Sequence, residues 1–249
     1  LHPLFPGNKP DHPAGWWEWS DQGLYLQSAA SLARGSLDPT QHHFPLGYPA
    51  LGAPFARWMP ADPFFIPDLL LVVGSAFFLW QIGRRLLSPL PLLFFFACFV
   101  VSHASLLSKT NVIPWNTLAT QCALLAGVFT ALQPACFRNT LLLSLTAGFT
   151  CFVRPADCLP FAPLLVFSVL RLSSWKERLL AAAGGLAVVS AAIAATCALN
   201  AVVYGQLHSP YETYSLGQIG FFSYPEAEKL FVLLVDPHAF FLEKTPGLF

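Results

Sequence analysis

The sequence predicts an all-α fold, a polytopic transmembrane helical bundle with amphipathic surface helices in its first outer loop. Three observations predict it. The 249 residues are 55% hydrophobic. Only 10% are charged, where soluble domains carry about 25%. The apolar residues gather in runs broken by short polar turns, and about 20 apolar residues suffice to cross the hydrocarbon core of a bilayer.

Residues 1–66 are read as an extracytoplasmic loop with juxtamembrane helices, residues 67–203 as the bundle, and residues 204–249 as a second extracytoplasmic loop. The first loop is rich in Pro, Gly and Trp, carries His2, His12, His42 and His43, and has no run long enough to span. Within it, Ser20 and Asp21 stand where a helix cap belongs. Leu24, Tyr25, Ser28, Ala29, Leu32 and Ala33 then recur at helical spacing until Gly35 stops the run. Trp16, Trp17 and Trp19 precede this short amphipathic helix. Such rings settle at a membrane–water boundary, which puts Asp21 at the membrane surface. Over residues 44–55 the closely spaced Pro and Gly argue against a regular helix at the start, while Tyr48, Leu51 and Phe55 stay near one face. This segment is expected to pack against the membrane face.

The apolar runs predict spans at 66–87, 90–107, 115–132 and 179–203. Residues 141–172 are too long for one straight helix and are interrupted by Arg154, Pro155 and Asp157, so they divide into two short spans turning near Arg154. The split can be tested against charge. It gathers Arg84, Arg85, Arg138, Arg171, Lys176 and Arg178 on one side, as expected of cytoplasmic loops. Residues 1–66, Lys109, Arg154 and residues 204–249 then lie together on the outer side. One kinked helix would turn the last basic cluster outward, which is disfavoured.

Other classes are set aside by composition. Net charge is zero, and no Lys/Arg cluster reaches the density that nucleic acid requires. Cys98, Cys122, Cys136, Cys151, Cys158 and Cys197 lie in or beside apolar runs, with no CxxC pair, and read as small buried hydrophobes. His42, His43, His208 and His238 are scattered, so no metal is indicated as a cofactor. Gly-rich phosphate loops, a Ser nucleophile elbow and HExxH are absent from the sequence. The chain opens without Met on a polar loop rather than a signal peptide, and ends as though another span were about to begin. It is expected to be a piece of a longer polytopic protein.

Few residues are left to carry chemistry. Asp21 either caps its helix by accepting backbone N–H bonds or serves as a general base on a hydroxyl brought to the outer surface; Glu18 is close enough to be its partner. Arg154 and Asp157 interrupt an apolar stretch. Ionisable groups at such depth are functional candidates, and the alternative is an internal pair that closes the turn. Lys109 at an outer helix end is ordinarily a snorkelling residue; together with Arg154 it would make a cationic pocket suited to phosphate. Tyr25, Tyr48, His208 and Glu212 are the outer-side candidates for acceptor or sugar contact, since such sites favour aromatic and polar side chains.

The ordered set resembles a known family. An acid heading the first outer loop (Asp21), YLQSAASLARG leading into FPLGYPALGAPF and a long span, VRP at 153–155, and YG..HSPYETYSLG after a longer span are similar to GT-C superfamily glycosyltransferases. These use polyprenyl-phosphate-linked sugars, and the class includes protein mannosyltransferases and the aminoarabinose transferase. The resemblance covers nearly the whole chain. It implies an integral protein of the bacterial inner membrane with an outward-facing site and a catalytic aspartate at Asp21. It also implies basic residues for the lipid-carrier phosphate, and a glycan, lipid or protein as acceptor. Gln22 stands where some relatives have a second acid, and no DxD motif is present. Because the phosphate is already a stable leaving group, one base and nearby cations suffice, unlike the two-carboxylate arrangement of glycosidases. The rival reading is a transporter with a path lined by Arg154, Asp157 and His103, although no inverted repeat is visible.

Overall fold

The computed structural model describes residues 21–107 and 116–210, with side chains for all but residues 21 and 101–107. Among the described residues the regular elements are helical: α1 Asp21–Ala33, α2 Gly47–Gly52, α3 Phe65–Leu86, α4 Pro89–Leu107, α5 Asn116–Ala131, α6 Phe137–Val153, α7 Phe161–Leu170 and α8 Trp175–Tyr204.

Each boundary has a local cause. α1 ends where Gly35 takes a left-handed φ of 72°, letting the Ser36 amide bond back to the Ser31 carbonyl. α3 carries Asp68 in its first turn and Arg84 and Arg85 in its last, complementing the helix dipole at both ends. α6 stops at Val153, before Pro155, and a 3-10 turn over Pro155–Cys158 leads toward α7. This is the predicted division near Arg154. α8 begins four residues ahead of its apolar run, because Ser174 and Glu177 form a reciprocal capping box.

α6 is the centre of the bundle. It packs against α5, α7 and α8, while α3 packs on α5 and α4 lies against α3. Small residues permit the closest approach: Gly185 of α8 sits over Ser144 of α6, and Gly148 of α6 over Ala192 of α8. The small positions Thr140, Ser144 and Gly148 on α6 are spaced by four, the pattern that lets membrane helices touch closely. Thr140 and Ser168 join α6 to α7 through a buried hydroxyl pair at 2.9 Å.

The bundle carries apolar side chains on its outer surface as well as in its core. Ser75, Thr140, Ser144, Thr150 and Ser168 are buried inside it. Leu70, Leu90, Phe94, Leu186 and Val202 point outward, each at least 65% exposed. Two helices, Phe65–Leu86 and Trp175–Tyr204, are long and apolar enough to cross a membrane; Phe137–Val153 and the stretch Pro155–Leu170 are apolar but shorter.

The two ends of the bundle differ. At the base, Arg85 donates to the Leu132 carbonyl and the Gln133 side chain, and Arg171 to the Ala131 and Gln133 carbonyls. These bonds tie the C-termini of α3, α5 and α7 together. At the head, α1 and α2 form a cap whose Tyr25, Leu26, Ala29, Phe44 and Tyr48 pack with Phe64, Ala119 of α5 and Val153 of α6. The segment over residues 44–55 therefore seats in the head of the bundle instead of lying along a membrane face, and its centre is a regular helix, α2. Cys151 is buried as expected, but Cys98 and Cys136 are exposed, which corrects the uniform burial the sequence suggested. Cys98 lies on α4 and Cys136 in the turn before α6.

Candidate functional site

The head is assembled around α2. Gly47 lies directly on the last turn of α6: a Cβ there would strike the Phe152 carbonyl and come within 2.7 Å of the Val153 amide nitrogen. Only glycine allows this approach. It sets α2 one residue from Arg154. Tyr48 follows, fully buried, stacked on Phe64 at 4.5 Å and edge-on to Tyr25 at 5.1 Å. Its hydroxyl donates to both carboxylate oxygens of Asp68, at 2.8 and 3.0 Å. Tyr25 stacks on Phe44 at 4.5 Å.

These positions correct two expectations. Tyr25 and Tyr48, proposed for acceptor or sugar contact, are 3% and 0% exposed and belong to the packing that holds the cap in place. Their rings face other aromatics because the apolar body of tyrosine favours burial when its hydroxyl finds a partner.

Asp21 is the first residue of α1, one turn ahead of Tyr25 and thus at the head. Its neighbour Gln22 is 1% exposed, and neither polar atom of its side-chain amide has a hydrogen-bond partner among the described residues. A buried unpaired amide is costly in a finished core. Sequence reasoning assigned Gln22 no role.

Arg154 and Asp157 pair at 3.6 Å across one turn, their side chains 40% and 31% exposed. The pair closes the turn, as the simpler reading had it. The Arg154 guanidinium makes that contact through Nε and no other polar contact among the described residues. The return of α8 completes the head. The Tyr204 hydroxyl donates to the Phe44 carbonyl at 3.0 Å, and the Asn200 amide to the Leu207 carbonyl at 3.2 Å, so exposed His208 is held at the same end. Lys109 and Glu212 lie outside the described residues.

Two further groups have shifted titrations. Asp62, in the loop leading to α3, is pushed up to about 6 by burial, opposed by the Phe64 and Phe65 amides. His42 is held below its ordinary value by burial, opposed by the Ser36 carbonyl and Asp38. The Ser36 carbonyl can only accept, so His42 Nε2 carries the proton and donates at 3.1 Å. Nδ1 then accepts from the Ser28 hydroxyl at 2.7 Å. Among the described residues, no group of three His, Cys, Asp or Glu is placed to hold a metal ion.

Asp68 was not anticipated. The signal available was an acid in the first turn of an apolar helix, but nothing local indicated a Tyr partner twenty residues earlier. Comparison with protein-family models, curated proteins and solved structures finds no match.

Proposed function

We propose that the chain is an integral membrane glycosyltransferase of GT-C type. It moves a sugar from a polyprenyl-phosphate donor to a hydroxyl acceptor on the extracytoplasmic side. The membrane part of the reading rests on the apolar exterior of the bundle, since an outer surface of Leu and Phe far exceeds what a soluble monomer tolerates. With lipid outside, α3 and α8 cross the bilayer with the shorter apolar helices α4 to α7 packed beside them, and the basic base faces the cytoplasm.

One observation carries the catalytic part: the start of α1, the Arg154 turn and the His208 return belong to the same end of the bundle, held by Gly47 and Tyr204. A transporter would instead need its polar groups along a mid-membrane path. Thr140 bonds Ser168 of α7, and Ser144 and Thr150 bond carbonyls of their own helix, so these interior hydroxyls are already engaged.

In this reading Asp21 takes the proton of the acceptor hydroxyl as its oxygen attacks the anomeric carbon. The bond from that carbon to the phosphate oxygen breaks with inversion, and the electron pair leaves on the lipid phosphate. Arg154, with Lys109, stabilises that developing charge. The unpaired amide of Gln22 suits a sugar, because a hydroxyl both donates and accepts. The lipid carrier's chain lies against the apolar spans.

The test is transfer by the full-length protein in detergent from a panel of labelled polyprenyl-phosphate sugars. Transfer by wild type, lost in Asp21→Asn at unchanged thermal stability, is the expected outcome. Activity retained by Asp21→Asn excludes it as the base. Absence of transfer from every donor, in protein shown to be folded, rejects the transferase reading.

A further inference from the structure

α6 and α8 close tightly on their small residues while α7 stands off from α8. Between them lies a groove of about 350 Å³. Its walls are apolar: Leu165, Val166 and Val169 from α7 face Ala182, Leu186 and Val189 from α8. Along α8 the lining stripe runs over roughly 12 Å, close to one leaflet of hydrocarbon.

The stripe continues past the groove at helical spacing, to Arg178 and then Trp175. Trp175 is 69% exposed, a ring suited to the headgroup level. Arg178 is half-buried and fixed, its Nε donating to the Leu172 carbonyl at 2.8 Å. Its terminal nitrogens have no partner among the described residues. Lys176 is exposed on the same turn, and Arg171 turns away to the Ala131 carbonyl. The acid at this mouth, Glu177, is spent in the capping box with Ser173 and Ser174. The groove is lined by uncharged residues, chiefly apolar, and the α8 stripe leads one turn beyond it to the forked Arg178; that combination is complementary to an amphiphile with an apolar chain and a phosphate.

We infer that the groove between α7 and α8 holds one acyl chain of an anionic phospholipid of the cytoplasmic leaflet, its phosphate on Arg178. This rests on the membrane reading above. The groove runs along α7 from Ala162 to Leu170; Arg178 lies toward its base end, opposite the head that carries Asp21 and Arg154, so Arg178 is not the donor's phosphate site. A bound lipid here would wedge α7 against α8, where the protein supplies little packing of its own.

The experiment is native mass spectrometry of the full chain released from detergent, with dioleoyl phosphatidylglycerol and dioleoyl phosphatidylcholine added in equal amounts. Retention of one phosphatidylglycerol at about tenfold preference is expected. Arg178→Gln should erase the preference while leaving weak retention of both lipids. Ala182→Trp, at an exposed position of the wall, should lower retention of both at unchanged melting temperature. Equal retention of the two lipids by wild type, or displacement of phosphatidylglycerol by equimolar undecaprenyl phosphate, overturns the assignment. Carbonate extraction separates the two levels. Release of the protein from membranes without detergent defeats the membrane reading itself, whereas membrane retention with no lipid preference defeats only this site.

Discussion

Replacing Gly47 by alanine tests how the head is held together. The new Cβ would lie 2.7 Å from the Val153 nitrogen and nearer still to the Phe152 carbonyl, against 3.4 Å or more for ordinary contact. Both obstacles are backbone at the end of α6, so neither can rotate aside, and α2 or the helix end must shift by more than half an ångström. Overpacking of this kind costs about 1–3 kcal/mol. For a chain of this size that is a fall in melting temperature of about 2–12 °C, read by intrinsic tryptophan fluorescence in detergent. Ala50→Ser, on the exposed side of the same helix, should melt with wild type. Because Arg154 follows Val153 directly, Gly47→Ala should also lower transfer by more than its stability loss explains. A melting temperature within about 1 °C of wild type would refute the claimed approach of α2 to α6.

Three other outcomes are expected. Tyr48→Phe removes the hydroxyl that bonds both oxygens of Asp68. It should cost about 1–3 kcal/mol by leaving a buried polar group without its partner, shrinking in an Asp68→Asn background when the double cycle is measured. Asp62 holds its proton more tightly folded than unfolded, so its contribution is full below pH 3.8 and is lost as pH rises through about 6. Melting temperature should fall over that window in wild type and less so in Asp62→Asn. His42 has the opposite sign: its value is lowered, so the stability it contributes is present above about 6.5 and lost as pH falls below that, an effect His42→Gln should remove.

α3 to α8 were legible in the sequence because each centres on an apolar run, and α1 through its helical spacing, whereas the Pro and Gly of residues 44–55 hid α2. The reversal at Arg154 was legible because Pro and two charges interrupt such a run. What escaped is long-range. The start of α8 at Trp175 depends on a capping box outside the apolar stretch. The seat of α2 depends on Gly47 meeting the end of α6 about a hundred residues later. Tyr25 and Tyr48 read as ligand-facing because an aromatic in a polar loop looks available until its partners Phe44, Phe64 and Asp68 are known. Arg154 was singled out by charge against an apolar background, and Asp21 as an acid at a helix start in the first outer loop. That the same contrast marks Gln22 only through its burial explains why a neutral amide went unnoticed.

The measurement that bears most directly on the whole reading is sidedness. Single cysteines at Thr40 and His208 of the head, and at Arg138 and Lys176 of the base, all exposed positions, are labelled in intact cells with a membrane-impermeant maleimide, in a background lacking the native cysteines. The head positions should label from outside and the base positions only after permeabilisation. Labelling of Thr40→Cys and His208→Cys from opposite faces, or of all four from one face, would contradict an outward site built on Asp21 and Arg154.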